Sequence, residues 1–314
     1  LYQKDAEKAN DNGFLYYLSA IVYEMNGEDD DAAIAYYKAA KAYLENEQRV
    51  PNQVLEFVSA NLQKAGREND LTQLKITLLK ENPTANDLKA KGAEIIVIGY
   101  AGQSPILGEL YVSGTLVSGA GLNLTYKDGQ TGQTKAFTML APIVAGTSGA
   151  ATFHVGFSLP EKKVLPFDAY DFSVYLNDQP EITPEEVRDL NQEITRNLSE
   201  DFSGIAAKTA LRVVLRTIAA QQAKKAMKTS NPLLNLATSL GTDVAQTQLE
   251  KADLRIGLFM PNRLYMTRIP VEPGEHDLLI SALDSRGGTV SSYDFKHISV
   301  KKGQKTFLFA PAIR

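Results

Sequence analysis

From Asn12 to about Pro83, apolar residues recur at steps of three and four, the period of helices that bury one face. Tyr16 to Tyr23 puts aromatic and small residues on a shared face. Asn26-Gly27 closes that helix with a left-handed cap, and Glu28 to Asp31 opens the next, where acids suit the positive helix end. Ala32, Tyr36 and Ala39 line the second helix. A degenerate second hairpin follows from Pro51 to Leu79, with Val54, Leu55, Val58 and Leu62 and then Leu71, Leu74, Ile76 and Leu78. After Asn82-Pro83-Thr84 the pattern changes to short runs without helical period. Glu94 to Gly99, Leu110 to Val112, Leu122 to Tyr126, Lys135 to Leu140, Ala151 to Leu159 and Asp171 to Leu176 read as strands. Thr183-Pro184-Glu185-Glu186 reads as a helix start, leading to a helical stretch up to about Thr229 with Gly204 as a break point. Asn231-Pro232 then sets off a further helical segment, from Leu233 to about Lys251. Strands resume with Leu254 to Phe259, Leu264 to Ile269, His276 to Leu283, Thr289 to Val300 and Lys305 to Phe309.

The spacing of Tyr16, Ala20, Tyr23, Ala32, Tyr36 and Ala39 resembles a tetratricopeptide repeat, in which Ala lets two helices approach and Tyr fills the groove beside it. An ordinary helical bundle is the alternative. The expected fold class is α+β: tetratricopeptide-like hairpins followed by a β-sandwich-like domain with a helical insertion. The expected domains are a helical repeat over 1–82, a linker over 83–92, a first part of the β-domain over 93–180, a helical insertion over 181–251 and a second part over 252–314. Two independent domains in place of the insertion stay open.

Composition narrows function by exclusion. The 314 residues hold 33 Lys+Arg against 37 Asp+Glu, too balanced for a dedicated nucleic-acid binder. The chain has no Cys, which removes disulfides, thiolate metal sites and cysteine nucleophiles together. Three His, at 154, 276 and 297, sit in no nucleophile-elbow, zinc or phosphate-loop pattern, and structural roles are expected for each. Glu28 to Asp31 lacks calcium-loop spacing. Lys224, Lys225 and Lys228 suit a helix C-terminus. No cofactor, metal, nucleic acid or small-molecule substrate is expected, and no enzymatic activity. The stretch from Leu107 to Leu124 carries Glu109 as its one charge, so it is either a buried hairpin or an edge covered by another subunit.

Three places together resemble a family of uncharacterised bacterial envelope lipoproteins, often encoded beside lipoproteins similar to curli-secretion ones. They are Gly92 to Val97 with Gly102 to Pro105, the helix through Ala206 to Leu211, and Ala252-Asp253-Leu254-Arg255 leading to Met260-Pro261 and Pro273 to Asp277. That family usually has Trp after the Ala-Asp pair, where this chain has Leu254. The resemblance implies a periplasmic, outer-membrane-associated, non-enzymatic structural or adaptor subunit. Its partners would be other envelope proteins or copies of itself, with a removed or preceding lipid anchor ahead of Leu1. A periplasmic module binding peptidoglycan or another glycan is the alternative. The expected partner surfaces are Tyr17, Tyr37 and Tyr43 beside the repeat stripe and Leu110, Val112 and Leu116 on the possible sheet edge.

Overall fold

The computed structural model describes residues 12–64, 66–73, 83–117, 121–127, 132–139, 152–177, 179–226 and 260–313. The protein is α+β, with six helices and eleven strands in three sheets among the described residues. It divides into two compact units. The first holds residues 1–104, 166–190 and 259–314, and the second 105–165 and 191–258.

The first unit opens with helices α1 (Gly13–Asn26), α2 (Asp29–Glu45), α3 (Asn52–Lys64), α4 (Glu68–Gln73) and α5 (Pro83–Lys91). Asn12 caps α1 by accepting the Leu15 N–H at 3.2 Å. Gly27, at φ 76°, ends it, with the Glu28 N–H returning to the Tyr23 carbonyl at 2.9 Å. Strands β1 (Ala93–Gln103), β8 (Pro261–Val271), β7 (Glu185–Asp189) and β11 (Lys305–Ala312) form sheet I in the order β11-β1-β8-β7. Strands β6 (Asp171–Leu176), β9 (Gly274–Leu283) and β10 (Thr289–Val300) form sheet II in the order β10-β9-β6. Side chains alternate across β1: Ile96 and Ile98 join Phe14, Tyr17, Tyr36, Val54 and Phe57 in a core with the helices. Ile95 and Val97 instead join Phe172, Val174, Leu278 and Ile280 of sheet II. Both faces of β1 are therefore covered, which is why it reads as an uninterrupted apolar run. Gly99 admits Phe172 against the backbone, since a Cβ there would lie 2.6 Å from the ring.

The second unit contains β2 (Ile106–Val117), β3 (Gly121–Lys127), β4 (Thr134–Met139) and β5 (Thr152–Lys163), in the order β4-β3-β2-β5, and helix α6 (Leu190–Ala226). Ala206, Ala210 and Val213 of α6 pack on Leu110, Val112, Leu124, Val155, Phe157 and Leu159. Small side chains on the helix let it lie close to the larger ones of the sheet.

Four expectations change. Residues 83–91 are a helix rather than a linker, and the helical part shares the core of sheet I, so no boundary at 82 parts two compact units. Residues 93–180 are also not one piece, because 105–165 belong with 191–258 in the second unit. The Thr183-Pro184-Glu185-Glu186 stretch is not a helix start: Glu185 to Asp189 pair with β8, and the helix begins at Leu190. Proline biases Thr183 away from helical geometry, and burying Val187 against the helices outweighs the capping pattern. Finally, β2 is flanked by β3 and β5 and is no edge. The expected segments 233–251 and 254–259, and most of the second half of the degenerate hairpin, lie outside the described residues.

Candidate functional site

The helix-facing side of sheet I carries charge where its neighbours are apolar. Glu94 of β1, Arg268 of β8 and Lys305 of β11 point toward the helices, and Glu24 of α1 and Tyr36 of α2 meet them. Arg268 forms a two-pronged pair with Glu94: Nε donates to Oε2 and Nη2 to Oε1, each at 2.9 Å. Nη2 also donates to Glu24 Oε2 at 2.7 Å, and Nη1 donates to the Tyr36 hydroxyl. That hydroxyl in turn donates a hydrogen bond to Glu24 Oε1 at 2.7 Å. Lys305 bridges both acids, at 2.9 Å from Glu24 and in direct contact with Glu94. The guanidinium lies over the Phe57 ring, 3.8 Å from its centroid, and Tyr36 stacks on the same ring. Two cations thus face two anions.

Burial is nearly complete. The Arg268 and Glu94 side chains are 0% and 1% exposed, and those of Lys305 and Glu24 are 10% and 17% exposed. Desolvation disfavours the Glu24 carboxylate, but Arg268 and Lys305 outweigh it and hold the carboxyl below its ordinary range. Desolvation also opposes the Arg268 charge, yet the surrounding acids and phenols raise its pKa well above the usual value. Burial pushes the Tyr36 and Tyr17 phenols upward. Charge-assisted hydrogen bonds within this cluster join α1 and α2 to the strands of sheet I.

Further contacts fasten the helices in the same place. β7 pairs with β8 only from Arg263 to Met266, so the backbone of Arg268 lies beyond that ladder. The Gln53 side chain takes its place, accepting the Arg268 N–H at 3.0 Å and donating to its carbonyl at 3.1 Å. Glu185 of β7 accepts the backbone N–H groups of Asn52 and Gln53, each at 3.1 Å, and so caps α3. The Tyr43 hydroxyl donates to the Val187 carbonyl at 2.6 Å.

The expected partner residues separate. Tyr17 (1% exposed), Tyr43 (2%), Leu110 (6%) and Val112 (0%) are core and present no surface. The burying partners differ: the Tyr residues face sheet I and the other helices, whereas Leu110 and Val112 face α6. Tyr37 is half-buried at the rim of the helical core. Leu116 pairs through its backbone with Leu122 and Phe153 inside the sheet, away from any edge. The ion cluster itself was signalled by a charge at an inward position of each apolar strand, Glu94 beside Ile95 to Ile98 and Arg268 between Thr267 and Ile269.

A second polar concentration lies on the outer face of sheet II. An open groove is lined by Tyr175, Asn177, Gln179, Asp277, Asp294 and Lys296. Asn177 and His297 hold left-handed backbone angles, φ 46° and 55°. Each is tied to Asp277: Asn177 Oδ1 accepts its N–H at 2.8 Å, and its Oδ1 accepts the His297 N–H at 2.9 Å. That backbone donor, with Lys296, holds the Asp277 carboxyl below its usual value. His276 bonds Asn177 and the Glu272 carbonyl, a structural use of both ring nitrogens. The described part of α2 places Asp29, Asp30 and Asp31 in its first turn. Among the described residues no group of three or more His, Asp or Glu is placed to hold a metal ion, and no helix is long and apolar enough to cross a membrane. Comparison with protein-family models, curated proteins and solved structures finds no match to the chain.

Proposed function

We propose that the protein is a non-enzymatic structural or adaptor subunit of a bacterial cell-envelope assembly, periplasmic and outer-membrane-associated. It works through contacts with other envelope proteins or copies of itself. The observation that carries this reading is the outer row of α2: Ile34 and Leu44 are 42% and 40% exposed, and Tyr37 lies half-buried between them. These positions share one face of α2 with the exposed Lys41, a mixed surface whose apolar side chains support the reading of a partner contact. In the tetratricopeptide-like reading, Ala20, Ala32 and Ala39, all buried, are the holes into which the hairpin's Tyr side chains pack. The shared core of sheets I and II supports the sandwich-like description of the β-part.

Purification from native envelope membranes followed by sizing tests the proposal. The wild-type chain should run in a discrete large complex. Ile34→Glu combined with Leu44→Glu should release it as a monomer of unchanged melting temperature. An intact complex in that variant rejects the α2 surface. The groove on sheet II favours a second reading, a peptidoglycan- or glycan-binding module, because Tyr175 offers an aromatic face beside Asn177, Asp277 and Lys296. A wild-type monomer retained on peptidoglycan and released by Tyr175→Ala supports that reading instead.

A further inference from the structure

The sheet of the second unit packs one face on α6. Burial alternates along β2: Leu110 and Val112 turn to α6, and Glu109, Tyr111 and Ser113 turn away from it. On that other face Ser113 stands between Thr125 of β3 and Gly156 of β5, and Tyr111 stands beside Ser158. Tyr111 is 58% exposed. Its ring leans across the sheet onto β5, where a Cβ at Gly156 would collide with its hydroxyl. Glycine inside a strand weakens it, and here it lets an aromatic ring lie along the sheet with one face to solvent.

The polar groups around the ring are held in place. Ser158 Oγ donates to Glu109 Oε2 at 3.5 Å, and Thr125 Oγ1 donates to the Ser113 carbonyl at 3.2 Å. Asn123 Oδ1 accepts the Thr138 hydroxyl at 2.8 Å, which leaves the amide N–H groups of Asn123 to donate elsewhere. Tyr111, Ser113 and Thr125 line an open groove of about 570 Å³. Its charges balance, Glu109 and Glu161 against Lys127 and Lys163.

We propose that this groove binds a neutral glycan, with a pyranose ring seated on Tyr111. A sugar offers an apolar C–H face to the phenol ring and hydroxyls to Glu109, Ser113 and Thr125. One apolar contact oriented by a few fixed polar groups is how small-ligand sites hold their occupants. Balanced charge draws no polyanion such as nucleic acid. A single ring among hydroxyls also falls short of the apolar core of a protein interface. The site belongs to the second unit and is independent of both the α2 surface and the sheet II groove.

Calorimetric titration of the full chain with chitotetraose, cellotetraose and maltotetraose tests the proposal. At least one should bind, and Tyr111→Ala should weaken that binding at least tenfold. Tyr175→Ala should leave it unchanged, which separates this site from the groove on sheet II. In the wild-type chain, the backbone amide signals of Tyr111, Ser113 and Thr125 should shift as that sugar is added, a readout that needs no variant to fold. Failure of all three sugars to bind at millimolar concentration overturns the proposal. So does binding that leaves these three signals in place or survives Tyr111→Ala undiminished.

Discussion

Arg268 touches three helices, a neighbouring strand and an aromatic ring at once, so its loss exposes how a buried charge differs from a buried hydrocarbon. Arg268→Ala leaves Glu94 and Glu24 buried with only Lys305 to balance them, and should cost about 3–5 kcal/mol of unfolding free energy in urea titrations. The contrast is the joint replacement Arg268→Met, Lys305→Met, Glu94→Leu and Glu24→Leu, which removes the charges together and should recover most of that loss. Acid titration tests the same group from another side. The Glu24 carboxyl has a lower pKa folded than unfolded, so its contribution is complete above the unfolded value of about 4.3 and is lost as pH falls through the folded one. The wild-type chain should therefore lose more stability between pH 6 and pH 3 than Glu24→Gln does. Equal losses would show that Glu24 is not the acid-sensitive member.

Elements in this protein borrow their ends from one another. Helix α3 has its N-terminus capped by Glu185, 132 residues or more away in sequence, rather than by a neighbouring side chain. Glu185→Ala should lower stability by about 0.5–2 kcal/mol, in the range of other lost helix caps, and Glu185→Gln should restore part of it. The capping motif at 183–186 illustrates the ambiguity: the same Thr-Pro-Glu-Glu letters that suit a helix start here supply a strand that pairs with β8 and a carboxylate that caps a different helix. A local motif states which backbone geometries are affordable; the neighbour decides which is used.

At the scale of the whole molecule, two compact units each keep their own apolar core, and both are built from segments that are distant in sequence. Val112 is fully buried in the second. Val112→Asp places a charge among Leu124, Phe157 and Ala210 without a partner, so it should abolish amide protection in β2, β5 and α6. Protection in β1 and β8 should persist if the first unit holds its fold by itself. Loss of protection throughout the chain would mean that the two units unfold as one.

The sequence by itself determined most element types, because helix and strand periods follow from local geometry and from a need to bury one face or two. It marked α1 and α2 through the Ala and Tyr spacing, the Gly27 cap and the apolar runs of β1 and β8. It also removed cysteine chemistry outright. Only the tertiary structure decided which faces those elements bury against which neighbours. Tyr17 and Tyr43 share a residue type and helical setting with Tyr37, yet the first two are core and the third is rim. Glu24, Glu94, Arg268 and Lys305 span 281 positions and meet only because sheet I brings three strands under two helices. Long-range pairing leaves no period in the chain: charge compensation is set by distance in space, and that distance exists only after the sheet has formed.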